Sequence, residues 1–339
     1  MESINTLDQF LTQAGTQYQV FDLGRRVVPF TASRFRQFEE GTLAYPWPRA
    51  GHAWLGVVFW QPSAERQHYV WFLKLPLDEQ GFLNPAARSQ FLQMVIEALG
   101  HEPAASLSAE QQDKLSNNPF TFTPPQEKMA MFHAQVRLQL VQPASVYYEA
   151  VQHYLTGQGE WCQWQHLGLQ GFADHACRAS QLTEAEERQA ILSMPLAPLQ
   201  ALASVTEHTQ VRAGSAAAWW QRAQTAQDES ERLIALRALA GDPLARQQAV
   251  DQLLSEPTLS QEAIIAIAAR LWQGLDSTRL HLFMEKLALY PGHLFNQIYC
   301  DLVAIPQLRP WVLATLRAPN RSAVLKHAIA QLMTALRGS

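Results

Sequence analysis

Cysteine is scarce: a chain of 339 residues holds three, Cys162, Cys177 and Cys300. Three is an odd number and too few for a disulfide framework, so reduced thiols in a reducing compartment are expected. No run of about 18 apolar residues occurs, which excludes a membrane-spanning helix as an expectation. The opening residues Met1-Glu2-Ser3-Ile4-Asn5 have neither a basic n-region nor a continuous apolar stretch, so no signal peptide is read there. These absences together predict a soluble cytoplasmic protein. Charge is also thin. Charged residues are 17% of the chain, below the usual quarter, as suits helices buried on two sides. The net charge of −4 argues against a general nucleic-acid binder.

Catalytic motifs are missing as well. There is no G-x-S-x-G, no phosphate-cradling glycine loop, no H-E-x-x-H and no dinucleotide fingerprint. No catalytic residue and no cofactor is therefore expected. Metal-ligand residue types gather once, at Cys162, His166, His175 and Cys177. On a helix Cys162 and His166 would share a face, but His175 and Cys177 would point about 200° apart. The spacing misses the usual zinc patterns, and no metal is expected. Asp174 beside His175 is a weak acid–base signal, since helical neighbours do not face each other. A helix start with Asp174 on the N-terminal dipole is the plainer reading.

What is present is a repeat. Leu233, Leu236 and Ala240 recur as Ile264, Ile267 and Leu271, as Phe295, Ile298 and Leu302, and as Leu325, Ala328 and Leu332, at spacings of 31, 31 and 30 residues. Offsets of i, i+3 and i+7 mark one face of a helix. A second column, Ala249 and Leu253, Leu280 and Met284, Val312 and Leu316, runs between them. Two helices per period is the signature of a HEAT-like α-solenoid.

The N-terminal third is different. A helix capped by Ser3 or Asn5 and ended by Gly15 leads to a hairpin, Gln17–Leu23 with Arg26–Phe30. A second helix capped by Thr31 or Ser33 follows. Dense apolar runs at Ala53–Trp60 and Tyr69–Leu75 then predict strands covered on both faces. A third helix spans Asn84–Leu99. Residues 100–125, rich in Ala, Ser, Asn and Pro, form the boundary, with a short helix around Ser108–Leu115. Beyond it, Met129, Phe132, His133, Val136 and Leu140 form one apolar stripe; Val146, Ala150, Val151 and Tyr154 form the next. The fold class expected is an α+β N-terminal domain with an antiparallel sheet, followed by an all-α HEAT-like solenoid. The boundaries are 1–118 for the α+β domain, 119–230 for an irregular helical region and 231–339 for the solenoid.

Two basic features stand out. Arg25, Arg26, Arg34 and Arg36 cluster near the hairpin, beside Glu39 and Glu40, and read as a solvated face. After Asp301 no acidic residue occurs, while Arg309, Arg317, Arg321, Lys326 and Arg337 do. Arg321 and Lys326 would flank the start of the last helix at Ser322, against its dipole, which marks them for an anionic partner. Trp47, between two prolines, is either a plug on the sheet edge or an exposed anchor. Six tryptophans, Trp161, Trp164, Trp219, Trp220, Trp272 and Trp311, are placed on helices.

Ser3-Ile4-x-Thr6-Leu7-x-x-Phe10-Leu11, Tyr18-x-Val20-Phe21-Asp22-Leu23-Gly24-Arg25-Arg26, Asn118-Pro119-Phe120-Thr121-Phe122-Thr123-Pro124, Lys128-Met129-Ala130-x-Phe132-His133-Ala134 and Trp164-Gln165-x-Leu167-Gly168-Leu169-Gln170-Gly171 together resemble a bacterial domain-of-unknown-function family over most of the chain. The resemblance implies no activity, substrate or cofactor. The reading that follows is a non-enzymatic interaction or scaffold protein whose solenoid surface meets a protein partner. Its expected contact residues are Arg309, Arg317, Arg321, Lys326, Trp47, Arg25 and Arg26. Two alternatives stay open: a nucleic-acid- or ribosome-associated factor using the basic C-terminal end, and an enzyme with its site at the interface of the two domains.

Overall fold

A computed structural model describes residues 4–62, 67–99, 115, 118–178 and 181–338. The chain divides into two compact units, Met1–Phe132 with Ala304–Gln307, and His133–Val303 with Leu308–Ser339.

In the first unit, helix α1 (Leu7–Gln13) starts at Thr6, whose extended backbone lets its hydroxyl accept from Gln9 N. Thr6, rather than Ser3 or Asn5, is the cap, because its oxygen reaches the third helical N–H. Gly15 ends the helix in the left-handed region, at φ 71. Strands β1 (Gln17–Asp22) and β2 (Val28–Phe30), helix α2 (Ala32–Glu39), strands β3 (His52–Trp60) and β4 (Tyr69–Pro76) and helix α3 (Pro85–Leu99) follow. The sheet is antiparallel throughout, in the order β2-β1-β3-β4. Pro29, which cannot donate to a ladder, sits on the short edge strand β2. One face, with Leu55, Val57, Phe59, Leu73 and Leu75, packs on Phe10 of α1, Phe35 and Phe38 of α2, and Phe91 and Val95 of α3. The other receives Phe132 from helix α4 (Gln126–Gln139), its ring 5.3 Å from those of Phe21 and Phe72. The outer edge of β4 is covered by Phe120–Phe122, through Lys74 N to Phe120 O and Phe122 N to Phe72 O. Of the helix expected around Ser108–Leu115, only Leu115 lies among the described residues.

Buried carboxylates knit this unit. Asp22, fully buried, accepts from the backbone N–H of Gly24, Arg25 and Arg26 and from the Tyr45 hydroxyl at 2.7 Å. Burial pushes its carboxyl up, against the Tyr45 hydrogen bond and the Lys128 charge. Lys128, itself buried, donates to Leu23 O at 2.6 Å and to Gly24 O. Glu39, 2% exposed, accepts from Leu7 N and Asp8 N at the start of α1. Burial pushes its carboxyl up to about 7, although those two N–H bonds and Arg88 oppose the rise. The folded protein therefore holds a proton there that the unfolded chain releases near its ordinary value of 4.5. That contribution is complete below 4.5 and is lost as pH rises toward 7. From pH 5 to pH 8 the wild type should lose about 1–3 kcal/mol relative to Glu39→Gln. Urea melts at both pH values check it; parallel curves for the two proteins would refute it.

The second unit is helical: α5 (Tyr148–Leu155), α6 (Leu169–Cys177), α7 (Glu184–Ser193), α8 (Leu196–Thr206), α9 (Ala213–Thr225), α10 (Glu229–Ala238), α11 (Pro243–Ser255), α12 (Gln261–Ala266), α13 (Ser277–Leu287), α14 (Gly292–Ala304), α15 (Arg309–Thr315) and α16 (Ala323–Gly338). Helix α12 widens into a π turn at Ile267–Leu271. Many contacts skip one helix: α6 meets α8, α8 meets α10 and α10 meets α12, while α7 meets α9, α11 meets α13 and α13 meets α15. Consecutive helices meet as well, α5 with α6 and α9 with α10, and α13 also meets α16. Eleven of the twelve triplet residues are buried, and Leu233 is half-buried. In the second column Leu316 lies just past α15 and is half-buried.

Three local expectations fail. Val146 lies before α5 and is 89% exposed, so it does not join the stripe of that helix. Trp161 and Trp164 lie in turns; the Tyr154 hydroxyl donates to Trp161 O. Asp174 lies past the middle of α6, not at its start, and its buried carboxylate accepts from Ser145 N.

Candidate functional site

Helix α13 begins where Asp276 accepts from Thr278 N and Arg279 N. Arg279 closes that end by pairing with Asp276 at 2.5 Å and Asp251 at 2.7 Å. Leu280, Phe283, Met284 and Leu287 face inward, which leaves Ser277, Thr278, His281 and Leu282 facing out. Helix α15 buries Val312 and Thr315 and leaves Trp311 and Ala314 more open. Between the two helices runs a groove of about 430 Å³ lined by Ser277, Thr278, His281, Leu282, Trp311, Ala314, Thr315, Ala318 and Asn320. Small residues at 277, 278, 314 and 318 open the space, and Trp311 is its one large wall. The Thr315 hydroxyl is committed to Trp311 O. His281 Nε2 lies 3.7 Å from Glu285, whose carboxylate also accepts from Ser322 N at 3.0 Å and from the Ser322 hydroxyl. The groove holds no nucleophile–base pair. It suits an apolar or aromatic side chain, with hydroxyls and an imidazole at hand for hydrogen bonds.

The residues singled out from sequence scatter. Arg25 is 4% exposed and donates to Pro48 O, so it is interior and leaves the set of contact residues. Arg26 is half-buried beside it. Trp47 is half-buried against the sheet core, edge-on to Phe30 and Tyr45, with Arg34 over its ring; of its two readings, the plug is the observed one. Arg309 donates to Val303 O. Arg321 folds back onto Leu316 O, at the C-cap of α15, and onto Ala318 O in the turn beyond it. Its charge thus complements a helix C-terminus, and the dipole conflict that marked it for a partner disappears. Arg317 and Lys326 remain exposed. Ser322 caps α16 as expected, accepting from Leu325 N.

The four metal-ligand types do not assemble either. Residues 161–167 form turns, so Cys162 and His166 share no helical face. Among the described residues no group of three His, Cys, Asp or Glu could hold a metal ion. Burial, with Asp174 adding, pushes the Cys177 thiol up to about 12, which disfavours the thiolate that a metal takes. His175 is buried and lies between Gln152, 2.8 Å from its Nδ1, and Glu187, 3.6 Å from its Nε2. Burial alone would raise the Glu187 carboxyl, but hydrogen bonds from His175, Ser215 and Arg212 bring it down to about 2. The network ties α5, α6, α7 and α9 together.

Polar ties of this kind were not read from the sequence. Arg212 reaches Leu182 O, Arg222 reaches Leu192 O and Arg237 reaches Glu207, each 30 residues back. Ser260 reaches Glu229 and Tyr290 reaches Leu259 O, each 31 residues back, and Lys286 reaches Glu256 O, 30 back. The family described as a protein of unknown function, DUF3549, matches residues 2–333, and the chain belongs to that family. No curated protein and no solved structure matches it.

Proposed function

We propose that this DUF3549 protein is a non-enzymatic interaction protein. Its helices from about α7 onward would stack as a HEAT-like solenoid and present the α13–α15 groove to a protein partner. The observation that carries the reading is the set of hydrogen bonds spanning 30 or 31 residues. Their interval equals that of the apolar triplets, so polar and apolar registers agree, as nearest-neighbour stacking requires. They also carry the register back to Leu182, into the stretch where the apolar pattern fades. The groove adds a place for a partner: Trp311 is of the type that dominates binding energy, and Leu282 is 46% exposed beside it. Arg317 and Lys326, on the segments after α15, supply the exposed cations of the acid-free C-terminal end.

The test is capture of partners from native lysate, with and without nuclease, by the wild type, by Trp311→Ala and by Arg317→Glu with Lys326→Glu. Capture should resist nuclease. Loss of Trp311 should weaken it by about 2 kcal/mol or more. Charge reversal should weaken it chiefly at low salt. Equal capture by all three proteins would sink the groove as the site, and capture abolished by nuclease would favour the nucleic-acid alternative. Among the described residues no helix is long and apolar enough to cross a membrane.

A further inference from the structure

We infer that the turn before β3, together with Lys74 of β4, forms a binding site for a phosphate monoester. Residues 17–76 carry seven arginines and lysines against four carboxylates, in a chain that is acidic overall. Two of those four, Asp22 and Glu39, are buried and accept from backbone N–H groups. Of the cations, Arg25 is buried too and Arg36 pairs with Asp8, but two others gather at one place. The Arg49 guanidinium lies 5.6 Å and the Lys74 ammonium 5.3 Å from the centre of the Trp54 ring. Neither is in ion-pair range of a carboxylate among the described residues, whereas Arg212, Arg222, Arg237 and Arg279 of the helical unit all are. His52 stands beside them, its ring 6.2 Å from Trp54. Its Nδ1 is 2.6 Å from Ala50 O, which holds the ring at the turn.

The turn is built to hold these groups. Arg49 and His52 exchange backbone hydrogen bonds at 3.1 Å across Ala50 and Gly51. Both intervening residues have positive φ, Ala50 at 49 and Gly51 at 70. For an alanine that conformation is strained, and strain of this kind collects at functional sites. The indole is pinned in turn, with Nε1 donating to Arg49 O and Phe122 edge-on at 4.9 Å. Gly51 O accepts from Leu77 N, so the next turn lies close by. That turn carries two exposed acids, Glu79 and Asp78, the latter accepting from Gln80 N and Phe82 N.

Two fixed charges and an imidazole suit a phosphate monoester, which carries about −1.5 to −2 at neutral pH. A phosphodiester offers one negative charge. The cations already lie against Trp54, so the ring is no platform for stacking bases. The experiment is a titration of the full chain, at fixed ionic strength, with inorganic phosphate, phenyl phosphate, dimethyl phosphate and a single-stranded oligonucleotide, followed by calorimetry. Inorganic phosphate and phenyl phosphate should bind saturably, and Arg49→Gln with Lys74→Gln should weaken both by about tenfold or more. Arg317→Gln should leave both unchanged. The urea midpoint confirms folding. If the double variant unfolds, His52→Ala, which keeps both cations on the indole, should still weaken binding about threefold. No saturable binding by the wild type, or the same affinity in folded variants, would overturn the site. Tighter binding of the oligonucleotide than of phosphate would overturn the monoester assignment.

Discussion

Alanine at Gly241 should destabilise the helical unit by at least about 3 kcal/mol, or prevent its folding. Gly241 ends the 3-10 turn Leu239–Gly241, directly before the Asp242 cap of α11. A Cβ at that position would overlap the carbonyl oxygen of Thr209 outright and come within 2.7 Å of its carbonyl carbon. The obstacle is backbone, 32 residues back in the chain, so no rotamer change relieves it. One of the two turns would have to move, and the packing of α8, α10 and α11 with it. Gly159→Ala is the matched control: nothing lies within 4 Å of its Cβ, so a change within about 0.5 kcal/mol is expected. Urea unfolding of both variants reads the difference, and equal midpoints would show that the turns yield easily.

This glycine also shows where the sequence was legible and where it was not. Gly241-Asp242 and Gly274-x-Asp276 are equivalent turns in successive periods, each a 3-10 turn closed by glycine and followed by an aspartate cap. The pattern is visible in the sequence once the period is known. It is short, however, and shifted by one residue between the two copies, so apolar periodicity alone passes over it. Sheet and hairpin were legible because β-branched and aromatic runs are bounded by turn residues; Thr31 and Gly41 fall where α2 begins and ends. Arg25 was misplaced because charge alone was weighed. The Asp22 carboxylate draws residues 24–26 inward, and nothing in the local sequence announces a buried acid. The resemblance passages around Asp22 and Lys128 meet at that knot, through contacts 104 and 105 residues apart that no local pattern encodes. The α13–α15 groove was missed for a related reason. Trp311 looks like core by type, and only its neighbours Ala314 and Ala318, at i+3 and i+7, leave room beside it.

Glu207→Ala should cost about 2–4 kcal/mol, near the lower end for removing one side of a buried ion pair, because the two arginines around it can reach water although His208 cannot. The Glu207 side chain is 1% exposed and follows α8. Arg237 Nη2 donates to it at 2.8 Å and Arg237 Nε makes a second bond. Arg270, presented by the π turn after α12, lies at 3.5 Å, and His208 Nε2 at 3.6 Å. One carboxylate thus joins residues from three successive periods, at positions 207, 237 and 270. Burial alone would raise its carboxyl, but the Arg237 hydrogen bond and the charges of His208, Arg270 and Arg237 outweigh burial and hold it below the usual range. A carboxyl held low when folded stabilises above its unfolded value and loses that contribution as pH falls through the folded one. The wild type should therefore lose stability between about pH 5 and pH 3 more steeply than the alanine variant. Glu207→Gln keeps the shape and removes the charge, so it should fall between the two. Arg237 and Arg270 side chains are 26% and 30% exposed, and they can swing to solvent once the acid is gone, which keeps the cost below that of stranding two buried charges. Urea midpoints measured across this pH range decide the matter: parallel curves for wild type and Glu207→Ala would mean that the carboxylate contributes nothing to coupling the three periods.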